Sequence, residues 1–179
     1  YARSDADRGW DSLVRNTLFA HAEAFPELWY GIWTGPDSFY GPEADRPGEA
    51  DAHLATALTD YPALNAHLHT SPLRALQGVL GVRGTADGLR IDPHVPTETF
   101  DVRWPRLHLW SRPDGIGGAW TPVGGGAAVL RVTLPSGLRG GPVSAWVDGA
   151  QAPVVVEDDV AVLEVSLRPG EPLVFELGR

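Results

Sequence analysis

The most constraining feature of this chain is its punctuation after Gly88. Leu89–Ile91, Phe100–Val102, Leu107–Trp110, Ala128–Leu134, Val143–Val147, Pro153–Val156, Val160–Leu167 and Leu173–Leu177 are short β-branched or alternating runs, cut apart by glycine and proline. No helical period has room to develop between such breakers, whereas strands need only a few residues each. Strands at this spacing predict an antiparallel β-sandwich, with Asp158-Asp159 as a hairpin turn between two of them. Gly124-Gly125-Gly126 lacks the strand, lysine and helix of a phosphate loop and reads as a linker. Trp104, Trp110 and Trp120 are many large rings for so small a sandwich to bury alone, which predicts that it packs against the rest of the chain.

Before the sandwich the pattern is helical. From Arg3 to Phe25, Trp10, Leu13, Val14, Leu18 and Ala22 recur on one face, Ser4 and Asp7 form a capping box, and Pro26 marks the stop. The stretch Phe25–Tyr40 then holds two tryptophans, two tyrosines and two phenylalanines between Gly31, Gly35, Pro26 and Pro36. It cannot be regular helix, and rings left on a surface loop cost burial free energy unless something covers them. Beside Thr34, Asp37 and Ser38 they suit the apolar faces and hydroxyl edges of a sugar. Gly41–Asp51 prolongs the excursion. Further on, Ser71 reads as an N-cap, Pro72 as a first-turn proline, and Leu73, Leu76, Val79 and Leu80 as the apolar face of a helix that Gly81 ends. His69, Thr70 and Ser71 would then stand where free N–H groups favour an anion. The predicted class is α+β, with residues 1–84 helical and residues 85–179 the sandwich.

Composition removes several functions. There is no cysteine, hence no disulfide, thiolate metal site or cysteine nucleophile. A net charge of -9, with all fourteen basic residues arginine, argues against nucleic-acid and anionic-membrane partners. No apolar run approaches membrane-spanning length. The absence of methionine predicts that Tyr1 is not the natural start and that the chain is the carboxy-terminal piece of a longer protein, expected in the cytoplasm.

The candidate chemistry is acid, amide and imidazole. His67-X-His69 on a strand would place both rings on one face, a zinc-binding spacing for which His53 or Asp60 would supply a third ligand. Hydrogen-bonding histidines in a polar cleft are the preferred reading, and no metal or cofactor is expected. Asp37, Glu49 and Asp60 are the carboxylates in or near the aromatic excursion. Glycoside cleavage needs an acid and a base or nucleophile across the scissile bond. Alternatively Asp37 and Asp60 cap turns and Glu49 is solvated. No serine sits in a nucleophile elbow.

Three pieces together resemble the carboxy-terminal part of the (α/α)6-barrel glycoside hydrolases and phosphorylases, the cellobiose phosphorylase group above all. They are Trp29-Tyr-Gly-Ile-Trp-Thr-Gly-Pro-Asp37, the crossing Leu80-Gly-Val-Arg with Thr85-Ala-Asp-Gly-Leu-Arg-Ile-Asp-Pro93, and the β-rich tail. The resemblance implies the last helices of an (α/α)6 toroid, then the sandwich. It implies cleavage of an oligosaccharide or glycoside by hydrolysis or, with inorganic phosphate as co-substrate, by phosphorolysis. Asp37 and Glu49 would be the catalytic carboxylates. Trp29, Tyr30 and Trp33 would form a stacking floor, and Asp60, Asn65, His67, His69 and Thr70 would line the subsite of the attacking water or phosphate. Where phosphorylases carry a Thr-Gly pair this chain has His69-Thr70-Ser71-Pro72, so both reactions stay open. The general acid would lie upstream in the remaining amino-terminal part of the same polypeptide. That part, or a second copy in a homodimer, would cover the helix faces. A non-catalytic carbohydrate-binding sandwich is the alternative, and its exposed aromatics would lie on a sheet face carrying Trp104 or Trp110.

Overall fold

The computed structural model describes residues 5–15, 17, 20, 23–24, 42–47 and 66–179, with side chains from Leu73 onward in the last stretch. The chain divides into two compact units, Tyr1–Gly78 and Val79–Arg179.

In the first unit, helix α1 (Ala6–Arg15) starts one residue later than a Ser4 cap would place it. Asp5 Oδ1 accepts the Arg8 N–H at 2.9 Å, satisfying one of the free donors of the first turn. The single helix expected over residues 3–25 is interrupted. The Thr17 N–H and hydroxyl both donate to the Val14 carbonyl, and the same hydroxyl accepts the Ala20 N–H at 3.2 Å. One side chain therefore closes one helical segment and opens the next turn, the local competition with the backbone that threonine is prone to. Leu13 is buried and Trp10 half-buried, but Val14 is 45% exposed, so the apolar stripe is narrower than its spacing suggested. Leu18 and Ala22 lie outside the described residues.

Helix α2 (Ala66–Val79) begins well before Ser71. Pro72 is therefore inside it and cannot donate to the Leu68 carbonyl, which leaves a gap in the ladder. Its exit is as expected. Gly81 takes φ 62°, and a Cβ there would stand 1.8 Å from the Asp92 carbonyl oxygen, so only glycine fits. Of the expected apolar face, Val79 and Leu80 are buried, Leu76 is half-buried and Leu73 is 56% exposed.

The second unit is a two-sheet sandwich. Its strands are β1 (Arg83–Thr85), β2 (Gly88–Ile91), β3 (Phe100–Trp104), β4 (Leu107–Arg112), β5 (Gly115–Trp120), β6 (Gly126–Thr133), β7 (Ser144–Val147), β8 (Ala150–Ala152), β9 (Val155–Glu157), β10 (Val160–Leu167) and β11 (Leu173–Gly178). One sheet runs β1-β2-β6-β10-β9 and the other β3-β4-β5-β11-β7-β8. Pairing is antiparallel except between β2 and β6, a correction to the all-antiparallel expectation. The chain leaves β2, builds β3, β4 and β5 in the opposite sheet, and returns to lay β6 beside β2. Such a crossover delivers a parallel neighbour. Alternate residues face inward: Leu89 and Ile91, Leu130 and Val132, Leu163 and Val165 from one sheet, and Leu109, Ile116, Phe175 and Leu177 from the other. Gly126 opens β6 and so belongs to a strand, not a linker. Asp158 and Asp159 form the expected turn, with φ 48° and 63°.

The crossing from helix to sandwich is tied at several points. The His94 N–H donates to the Val79 carbonyl at 2.7 Å, and the Val129 N–H to the Asp87 carbonyl at 2.8 Å. The Asp87 carboxylate accepts both Arg131 guanidinium nitrogens, at 2.9 and 2.7 Å, and the Thr85 hydroxyl at 2.9 Å. These bonds, Arg131 foremost, hold its pKa at about 2, against 3.8 for a free aspartate. Gly88 lies so close to β6 that a Cβ would stand 2.1 Å from the Val129 carbonyl oxygen. Thr133 donates to Asp92 at 2.8 Å.

Candidate functional site

The residues expected to form an aromatic cleft are placed unevenly. Trp29, Tyr30, Trp33, Asp37, Glu49, His53, Asp60 and Asn65 lie outside the described residues. His67, His69 and Thr70 lie in the first turns of α2. This corrects the strand geometry on which a shared His67/His69 face rested, because positions two apart on a helix leave it about 200° apart. It also moves His69, Thr70 and Ser71 past the free first-turn N–H groups, which belong to Ala66, His67 and Leu68. Among the described residues no cluster of histidines and acids is arranged to hold a metal.

The described residues instead bring a different set together, on the outer face of the six-stranded sheet. Strand register alone places Asp101, Trp110, Gly117, Glu176, Trp146 and Gln151 in one row across β3, β4, β5, β11, β7 and β8. Side chains alternate along a strand, so this row faces away from the core that Leu109, Ile116, Phe175 and Leu177 fill from the positions between.

The row is low in its middle. A Cβ on Gly117 would stand 2.6 Å from Trp110 Cζ2, and one on Gly115 would stand 3.6 Å from Trp110 Cζ3. The six-membered ring of Trp110 therefore rests across Gly115 and Gly117, two of the three glycines of β5. On the far side a Cβ on Gly178 would lie 3.8 Å from Trp146 Cζ3, so the second indole leans onto β11. β5 and β11 are paired neighbours, about 4.8 Å apart, while β4 and β7, from which the two rings spring, are about 14 Å apart. Both indoles are half-buried. Trp104 and Trp120 stand at the alternate, inward positions of their strands, Trp120 against the core. The three tryptophans expected to compete for burial are thus divided between two faces.

Polar groups border the rings. Glu176 stands between them and lines two depressions. One, of about 350 Å³, is bounded by Asp101, Trp110 and Arg112; the other, of about 380 Å³, by Trp146 and Val174. The Arg112 guanidinium carbon lies 5.6 Å from the centroid of the Trp110 ring, a cation–π contact at an exposed site. His108 Nε2 is 3.1 Å from both carboxylate oxygens of Asp101, and Arg103 Nε is 3.4 Å from one of them. The hydrogen bond with His108, helped by the charge of Arg103, holds the Asp101 carboxyl below its ordinary range.

Trp146, Glu176 and the three glycines were not singled out in the sequence. The signal that could have found them is the alternation in Ser144–Val147 and Leu173–Gly178, read together with the glycine-rich Gly115–Gly118.

Neither protein-family sequence models nor curated proteins give a match to this chain. Among solved structures, one similar chain is a GH127 β-L-arabinofuranosidase from Geobacillus stearothermophilus T6, 15% identical, with a TM-score of 0.38, covering 66% of this chain and 19% of that one. Another, described as a glycoside hydrolase, is 16% identical with a TM-score of 0.39, covering 62% of this chain and 19% of its own. Both similar structures are glycoside hydrolases, and this chain spans under a fifth of either.

Proposed function

We propose that the chain is the carboxy-terminal part of an enzyme that cleaves glycosidic bonds, by hydrolysis or phosphorolysis. The observation that carries this is the segment Leu80–Pro93. Its resemblance to the crossing between an (α/α)6 toroid and a β-sandwich was one of sequence, and here it joins α2 to β1 and β2. Gly81 turns the chain out of the helix against Asp92, Asp87 clamps Arg131, and Gly88 lets β2 close on β6. Gly81, Asp87, Gly88 and Asp92 of the motif thus each have a task in that join, and the same join in a toroidal enzyme would set the last barrel helix against its sandwich. In this reading Trp29, Tyr30 and Trp33 stack on the sugar, and Asp37 or Glu49 acts as the base. Asp60, Asn65, His67, His69 and Thr70 line the subsite of the water or phosphate, and the general acid comes from upstream. The test is cleavage of a panel of glycosides and oligosaccharides by the longer parent protein, with and without inorganic phosphate. Phosphate-dependent cleavage makes it a phosphorylase, phosphate-independent cleavage a hydrolase, and no cleavage by a folded parent ends the reading. Trp33→Ala in an active parent should raise KM at least tenfold; unchanged kinetics would remove the loop from the site.

A second reading is favoured by one observation, the pair of outward indoles on the six-stranded sheet. In it the sandwich is a carbohydrate-binding element, whether or not catalysis accompanies it.

A further inference from the structure

We propose that the outer face of the six-stranded sheet is a binding platform for a neutral oligosaccharide, with Trp110 and Trp146 as stacking rings and Glu176 as the hydroxyl acceptor between them. This deepens the second reading above and rests on it. Three features of the face point to that ligand.

The first is how the rings are held. Trp110 lies on Gly115 and Gly117 and Trp146 leans on Gly178, so each indole has backbone beneath it in place of a side chain. An aromatic ring packed only to fill space is wedged between side chains. A ring laid on glycine turns its other face outward, over a floor that cannot move; on Trp110 that face carries the exposed Arg112 guanidinium, which a stacking sugar would displace. The axial C–H faces of a pyranose or furanose ring are flat and apolar, and they match such a surface.

The second is the polar complement. The Glu176 carboxylate has no hydrogen-bond or ion-pair partner among the described residues. It stands in the row between the indoles, directly across from Gly117 on one side and Trp146 on the other. A carboxylate offers only acceptors, which suits the hydroxyl donors of a sugar stacked to either side. Gln151, next to Trp146 in the row, has both donors and acceptors, and the Arg112 guanidinium, over the Trp110 ring, brings donors there.

The third is size and sign. Glu176 divides the face into two depressions of about 350 and 380 Å³, one with each indole, and each can take one sugar ring. The occupant is then at least a disaccharide, and the row continues past Trp110 to Asp101 and past Trp146 to Gln151, which favours a longer chain. Two carboxylates in the row, on a protein of net charge -9, oppose uronate or sulfated polymers.

The test is isothermal titration calorimetry of the full chain with cellohexaose, xylohexaose and arabinohexaose, the matching disaccharides, and polygalacturonate as the anionic comparison. We expect one neutral hexasaccharide to bind at least tenfold more tightly than its disaccharide. Trp110→Ala and Trp146→Ala should each weaken it tenfold or more, and Glu176→Gln severalfold. Circular dichroism reports whether each variant folds; if a tryptophan variant does not, Glu176→Gln decides, because that exposed carboxylate can be neutralised without a change of shape. The proposal is overturned if no neutral hexasaccharide binds, if polygalacturonate binds more tightly, or if Trp33→Ala abolishes binding that the Trp110, Trp146 and Glu176 variants retain. This assay needs no cleavage. An inactive parent protein leaves it intact, and a failed platform leaves the cleavage screen intact.

Discussion

The two outer faces of the sandwich are built by the same rule and end in opposite states. On the five-stranded sheet the outward positions include Arg90, Arg131, Thr133, Glu164 and Ser166 beside Val129, Val160 and Val162, and most of the arginine charge is answered from within the molecule. Arg131 is gripped by Asp87, Thr133 donates to Asp92, and Arg90 lies 3.6 Å from Asp92. Arg90 and Arg131 are directly opposed across β2 and β6, and the two aspartates are what make that pairing tolerable. On the six-stranded sheet the outward positions carry a paired cluster of Asp101, His108 and Arg103 at one side, then indoles, glycines and the Glu176 carboxylate, which has no partner among the described residues. The five-stranded face is tied by these pairs, with the Arg90 Nε left buried and unpartnered among the described residues. The six-stranded face adds outward indoles and an acceptor without a partner among the described residues, groups that gain by meeting a ligand, so the contrast points to which side of the sandwich binds.

Substituting the floor of each face sharpens this contrast most. Gly88→Ala puts a methyl 2.1 Å from the Val129 carbonyl, which is backbone and cannot step aside, so the crossing must part. A loss of about 3 kcal/mol or more is expected, read as a fall in the denaturant midpoint. Wild-type stability in that variant would mean that β2 and β6 are not as closely apposed as described.

Gly117→Ala should cost less, about 1–2 kcal/mol, because its nearest obstacle is the Trp110 ring, which can tilt, although the Phe175 carbonyl at 2.7 Å also resists. Its signature should be in the ring: a shifted tryptophan emission maximum and weaker oligosaccharide binding. An unaltered spectrum would show that Trp110 does not rest on β5.

The smallest effect belongs to Asp87, and its sign follows from the depressed pKa. The native state holds the Asp87 carboxylate ionised down to about pH 2, while the unfolded chain takes up the proton near 3.8. The stabilisation is therefore complete above about pH 4 and lost as pH falls from 4 toward 2. Asp87→Asn should lower Tm slightly at neutral pH and flatten its decline between pH 4 and 2. A decline as steep as in the wild type would assign the acid sensitivity to other carboxylates, Asp101 and Glu98 among them, both of which are also held below their ordinary range.

Local sequence was a good guide where structure is local. The alternation in Ala128–Leu134, Val160–Leu167 and Leu173–Leu177 marked strands because a half-buried strand repeats every two residues. Gly81 marked a helix end because a left-handed residue is needed there, and Asp158-Asp159 marked a turn because aspartate tolerates positive φ. Gly115–Trp120 escaped notice for the converse reason. Its glycines deny it a strand composition, and they are present because a tryptophan from β4 lies over two of them. The start of α2 was misplaced because Ser71-Pro72 is a strong local start signal, yet the helix continues through it.

What the sequence by itself determined is therefore eight of the eleven strands of the sandwich, all but β1, β5 and β8, the turn at Asp158-Asp159, and the two-residue alternation that sets facing within a strand. The tertiary structure alone decided which strands are neighbours. It set β2 parallel to β6, brought Asp87 to Arg131, and put Trp110, Gly117, Glu176 and Trp146 in one row. Facing is set by a strand's own two-residue period. A row across a sheet is set by hydrogen-bond register between strands distant in sequence, and no single segment encodes that register.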